Sequence, residues 1–179
     1  MGIQIGARPD AGFDDPLGML KDCHRRIERF LRILCVVVER AHGRAMTQEE
    51  SAAVQAALSY FQLGGKRHNA DEEESLFPRL RATAADPAEL EQVGGLENDH
   101  RNAEQLHAEI DRLYTAWLET GRLNAEDEAV LRATAERLQG IYAQHIEIEE
   151  KIVFPHAAER LNKEALAEIG HEFRARRDI

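Results

Sequence analysis

Residues 68–78 read His-Asn-Ala-Asp-Glu-Glu-Glu-Ser-Leu-Phe-Pro, and residues 145–155 read His-Ile-Glu-Ile-Glu-Glu-Lys-Ile-Val-Phe-Pro. Both are H-x3-E-E-x2-[LV]-F-P, set 77 residues apart. A second pair, His24-x3-Glu28 and His100-x3-Glu104, is set 76 apart. Four histidines therefore each precede a carboxylate by four residues, in the order A, B, A′, B′. At helical spacing, i and i+4 share a face. The pattern predicts a duplicated helical hairpin whose copies each carry half of one polar site.

The flanking sequence supplies the helices. Asp15 caps a helix that opens on Pro16, and Leu17, Leu20, His24, Ile27, Leu31, Leu34 and Val38 recur at steps of three and four. This predicts an amphipathic helix over 16–41 with His24 in its apolar stripe. Thr47-x-x-Glu50 is a capping box for the second helix, whose stripe runs through Val54, Leu58 and Phe61 to His68, Glu72 and Leu76. Gly64-Gly65 costs about 2 kcal/mol relative to two alanines and predicts a kink or short break. Pro78 clashes with an α-helical carbonyl four residues back, which predicts that the helix ends or bends at Phe77.

Asp86-Pro87 opens a third helix through Leu96, His100, Ala103, His107, Ile110, Tyr114 and Trp117, ending at Gly121. Asn124 caps a fourth through Leu131, Leu138, Ile141, His145 and Ile148, closed by Pro155. Residues 163–176 form a smaller amphipathic helix. No strand pattern appears. The fold class is all-α, an up-down-up-down four-helix bundle with a short C-terminal helix: a flexible leader over 1–13, then one domain over 14–179.

Counting from the turns sets the register. His24 to Gly43 is 19 residues and Thr47 to His68 is 21; His68 to Arg81 and Pro87 to His100 are 13 each; His100 to Gly121 and Asn124 to His145 are 21 each. A mismatch of two residues is about 3 Å of helix rise. All four histidines fall in one layer. Imidazoles and carboxylates gathered in a dry layer are costly unless a cation compensates them. Nitrogen and carboxylate donors without thiolate suit iron, manganese or zinc, and the donors outnumber the needs of one tetrahedral ion. They fit two metals bridged by carboxylates inside a bundle. Glu73, Glu74 and Glu150 read as solvated acids or, at most, supports of the ligands. His107 reads as a core or supporting histidine about 10 Å along the helix from His100. Phe77 and Phe154 read as core residues beside the site.

Composition narrows the partners. The net charge is −10 over 179 residues, which disfavours nucleic acid and anionic membranes. No apolar run approaches a membrane span and no secretory signal is visible. Cys23 and Cys35 would lie about 18 Å apart on one helix, too far to bridge. Two free thiols and no signal point to the cytoplasm.

The doubled motif, the isolated His24 and the opening Asp15-Pro16-Leu17 resemble the hemerythrin-like (HHE cation-binding) family over about 14–177. The resemblance implies a non-haem di-iron centre, oxo- or hydroxo-bridged, that binds or senses dioxygen, peroxide or nitric oxide. Manganese or zinc are possible substitutes. His24, His68, His100 and His145 match its imidazole ligands; Glu72 and Glu149 match its bridging carboxylates. Oxygen carriers of the family have histidine where this chain has Glu104, and their fourth-helix carboxylate stands at i+5 rather than i+4. That favours sensing, oxidation or iron handling over reversible carriage. If His100, Glu104 and His145 serve one iron, then His24, His68 and, in one alternative, Glu28 serve the other; Glu28 otherwise pairs with neighbouring arginines in solvent. The alternatives to a sensor are iron storage, delivery or repair of iron centres, and a weak oxidase or peroxidase. No nucleophile or general base marks the chain as an enzyme, and a monomer or homodimer is expected.

Overall fold

A computed structural model describes residues 10–84 and 86–179. Four long helical rods pack antiparallel, and no strand occurs among the described residues. The first rod is α1 (Pro16–Ala41), capped by Asp15, whose side chain accepts from the Gly18 amide. Its C-terminal cap falls on His42 in the left-handed region, followed by Gly43. The second rod contains α2 (Gln48–Tyr60), α3 (Lys66–Asp71) and α4 (Phe77–Thr83). The Thr47–Glu50 capping box starts it. The third is α5 (Pro87–Thr120), capped by Asp86. The fourth contains α6 (Ala125–Ile148), capped by Asn124, and α7 (Phe154–Arg160). A fifth helix, α8 (Lys163–Ala175), lies across one end.

The all-α bundle is as the periodicity predicts, but the second and fourth rods do not end at their prolines. Each continues through a π-helical segment: Phe61–Gly65 and Glu72–Leu76 in the second rod, Glu149–Val153 in the fourth. The Phe77 amide donates to the Glu72 carbonyl and the Phe154 amide to the Glu149 carbonyl, five residues back. The wider turn carries the helix past Pro78 and Pro155, which have no N–H to lose and no longer meet a carbonyl at α-helical spacing. The same device absorbs Gly64-Gly65 without a break.

Of the expected 1–13 leader, residues 1–9 lie outside the described residues. Residues 10–13 pack against the bundle: the Ala11 amide donates to Asp22 at 2.6 Å, and Phe13 lies on the core edge under Arg174. A Cβ on Gly170 would come within 1.9 Å of the Phe13 carbonyl oxygen, so glycine lets α8 approach this closely.

The apolar interior forms two clusters. One spans Ile27, Leu31, Leu34, Phe61, Ile110, Trp117, Leu138 and Tyr142; the other spans Leu20, Leu76, Phe77, Leu96, Val153, Phe154 and Phe173. The histidine layer separates them, with His24 between Leu20 of one and Ile27 of the other. No helix among the described residues is long and apolar enough to cross a membrane.

Candidate metal centre

Each rod brings one histidine to the layer. His24, His68 and His145 are 1% exposed and His100 is 5% exposed, while Glu72 and Glu149 are fully buried. Two groups of potential donors form. His24, His68, Glu72 and Glu149 make one; Glu72, His100 and His145 make the other, and within each the ligand atoms lie within 4.8 Å of one another. Glu72 belongs to both. Its Oε1 lies 3.4 Å from His68 Nε2, and its Oε2 lies 3.3 Å from His100 Nε2. Glu149 also spans them, with Oε2 at 3.0 Å from His24 Nε2 and 3.3 Å from His145 Nε2.

Every histidine presents Nε2 to the centre. The outer Nδ1 atoms are held by carboxylates in three cases. His24 Nδ1 donates to Glu150 at 2.9 Å, His100 Nδ1 to Glu73 at 2.7 Å, and His145 Nδ1 faces Asp99 at 3.5 Å. A proton on Nδ1 leaves a lone pair on Nε2, the tautomer a metal requires. Thus the second glutamate of each E-E pair holds the histidine of the neighbouring rod. Phe154 lies parallel to His24 at 5.4 Å and Phe77 parallel to His100 at 6.2 Å, repeating the symmetry.

The donor set fits a cation and fits little else. All four oxygens of Glu72 and Glu149 are buried, and those oxygens that have a polar neighbour face only the imidazole nitrogens of the layer. His100 and His145 bring their Nε2 atoms to 3.2 Å. In the metal-free protein protons take the cation's place. Burial alone would lower the His24 and His100 pKa values, but Glu149 and Glu72 beside them raise His24 to about 10, and Glu72 with Glu73 raises His100 to about 9. His145 is raised too, mainly by Glu149 against the same burial effect. His68 moves the other way, lowered to about 4 by complete burial. Burial favours a neutral Glu72, yet His68, His100 and His24 around it hold its pKa well below the usual range.

The structure brings six of the eight sequence-predicted donors together. Glu28 and Glu104 stay outside, exposed on their helices. The cause is chain direction. In the antiparallel bundle, i+4 from His68 and His145 points toward one end, and i+4 from His24 and His100 points toward the other. Glu72 and Glu149 thus share one side of the layer, whereas Glu28 and Glu104 lie about 6 Å beyond its opposite side. There the core-facing positions belong to Ile27, Ala103 and Tyr142.

Sequence reasoning assigned Glu73 and Glu150 to solvent or a supporting role; they support, each while partly exposed. It missed Asp99, whose only signal was its place beside His100. His107 is no part of either donor group: its Nε2 meets the Tyr142 hydroxyl at 3.1 Å, and burial lowers its pKa to about 4. Asp71, beside Glu72, was also missed. It is 1% exposed and ion-paired with Arg176 at 2.8 Å and Arg177 at 2.6 Å, which fastens the C-terminal end to the rod carrying His68.

Comparison with known proteins agrees with this geometry. A family model described as the hemerythrin HHE cation binding domain matches residues 15–157. An uncharacterized protein of Haemophilus influenzae is 30% identical over 169 residues, covering 94% of each chain.

Proposed function

The chain belongs to the hemerythrin HHE cation-binding family, and from that premise we propose that it holds two iron ions side by side and uses them to bind or sense dioxygen or a related oxidant. His24 and His68 would serve one ion, His100 and His145 the other, and Glu72 and Glu149 would bridge them. The observation that carries this reading is the pair of buried carboxylates that share one layer with four imidazole nitrogens aimed at them. Such a layer needs positive charge, and two divalent or trivalent ions supply it without protonating the ligands.

Bound iron would supply redox chemistry and a position for a small exogenous ligand. The chain's own residues hold three of the four imidazoles, those of His24, His100 and His145, in one tautomer through Glu150, Glu73 and Asp99. They bury the layer between two apolar clusters, and Phe77 and Phe154 exclude water from its flanks. With Glu28 and Glu104 directed away, each ion would be held by two imidazoles and the shared carboxylates Glu72 and Glu149, which would leave fewer than six protein donors and room for a small ligand.

The test is iron content of protein loaded anaerobically and then exposed to air. Two irons per chain and near-ultraviolet bands of an oxo-bridged pair are expected. Fewer than two irons, or no spectral response to air, would reject the reading.

A further inference from the structure

The two halves of the duplicated fold differ on the side of the histidine layer away from Glu72 and Glu149. Three residues along from each histidine, on that side, stand Ile27 on α1, Gly65 on the second rod, Ala103 on α5 and Tyr142 on α6. Under the internal repeat, Ile27 corresponds to Ala103 and Tyr142 to Gly65. Each half thus has one large and one small residue, but the two small ones, Gly65 and Ala103, meet where the second rod adjoins α5, and the two large ones, Ile27 and Tyr142, meet where α6 adjoins α1.

The surface follows this difference. Between the second rod and α5, a cavity of about 730 Å³ is lined by Gly65, Ala103, Phe61, Tyr142 and His107, and reaches His100. The equivalent groove between α6 and α1 has a volume of about 430 Å³ and touches no histidine of the layer. Ile27 is 0% exposed and Tyr142 is 4% exposed, with the Tyr142 hydroxyl 3.1 Å from His107 Nε2 on α5. Tyr142 borders both openings and forms the wall between them. His100 is also the most exposed histidine of the four.

We infer that the cleft between the second rod and α5 is the route by which a small uncharged ligand reaches the metal position held by His100 and His145, through the gap left by Gly65 and Ala103. This rests on the two-metal reading above and adds to it which position is open. Four acids (Glu73, Glu74, Glu104 and Asp111) and two bases (Lys66 and Arg101) border the cleft. The excess of two negative charges favours neutral molecules such as dioxygen or nitric oxide over anions. Glu104 thus belongs to the cleft wall rather than to the metal.

The probe is nitric oxide, mixed by stopped flow with anaerobic protein loaded with iron(II) and assayed for iron beforehand. Ala103→Ile copies the residue of the other half into the gap. It is expected to slow association about tenfold while leaving iron content and equilibrium affinity unchanged, because a narrowed passage slows departure as much as arrival. Ala143→Ile, in the groove between α6 and α1, is expected to leave the rate unchanged. Ala70→Phe, on the partly exposed cleft wall, carries the same expectation as Ala103→Ile should that buried substitution prevent folding. Wild-type rates in the cleft variants, or slowing by Ala143→Ile alone, would overturn the route. Iron content below two in the unmodified protein would instead overturn the two-metal reading, and is read independently of any rate.

Discussion

Glu73 accepts a hydrogen bond from Nδ1 of His100 at 2.7 Å, across the space between the second and third rods. Its neighbour Glu72 turns inward to the centre of the layer. Adjacent glutamates thus do two jobs, one facing the layer and one holding the imidazole that faces it. Glu150 and Glu149 repeat the division toward His24.

Replacing the holders tests this division. Glu73→Gln and Glu150→Gln keep the shape but lose the charge that fixes the imidazole tautomer. Each is expected to weaken metal affinity about 10–100-fold without emptying the site at saturating metal. Zinc titration against a chromophoric chelator measures the change. Affinity equal to the unsubstituted protein would show that the outer carboxylates are idle.

The acids that share the His-x3-Glu spacing divide by side of the layer. Glu28→Gln and Glu104→Gln are expected to leave metal stoichiometry intact. Glu72→Gln and Glu149→Gln should each lose at least one ion per chain. Metal analysis of the four purified variants decides the matter.

Removal of metal should cost stability. A ligand present at about 1,000 times its dissociation constant adds about 4 kcal/mol, which for a chain of this size is about 10 °C in Tm. Thermal melts before and after chelation are expected to differ by that order. Coincident melts would mean that the buried layer needs no cation.

Without metal, pH takes over. His24 and His100 carry pKa values raised to about 10 and about 9 from a reference of 6.5. Groups raised on folding stabilise fully below their unfolded pKa, and that contribution disappears as pH climbs through the folded value. The metal-free protein is therefore expected to lose Tm between pH 7 and pH 10, and the metal-loaded protein to lose less. Metal uptake near pH 7 should release protons from these two histidines, and uptake above pH 10 should not. Proton release in weak buffer, followed with a pH indicator, checks both statements.

The C-terminal clasp has its own signature. Asp71 is buried, and Arg176 and Arg177 are its charged partners. Removing both arginines strands a buried carboxylate, at about 3–5 kcal/mol. Asp71→Asn in the same background should recover part of that loss. Urea unfolding of the double and triple variants measures it.

By itself the sequence determined the helices, their caps and the shared level of the four histidines. Those features are local or depend only on counting: capping side chains act within one turn, and rise per residue is constant. Helix α1 starts at Pro16, α5 at Pro87 and α6 just after Asn124, where cap chemistry predicts. The passage of the rods beyond Pro78 and Pro155 was not legible, because proline forbids an α-helical bond but not the wider turn that packing here supports.

Only the tertiary structure decided which carboxylates face the layer. His-x3-Glu reads the same in all four rods, yet neighbouring rods run in opposite directions, so the same spacing lands on opposite sides. Only packing, too, showed that Glu73 and Glu150 reach across to another rod's histidine. The openness of one flank follows from the same cause: in the sequence Gly65 reads only as a cost to its helix and Ala103 as an ordinary helix residue, and their smallness opens the flank only where two rods bring them together beside His100.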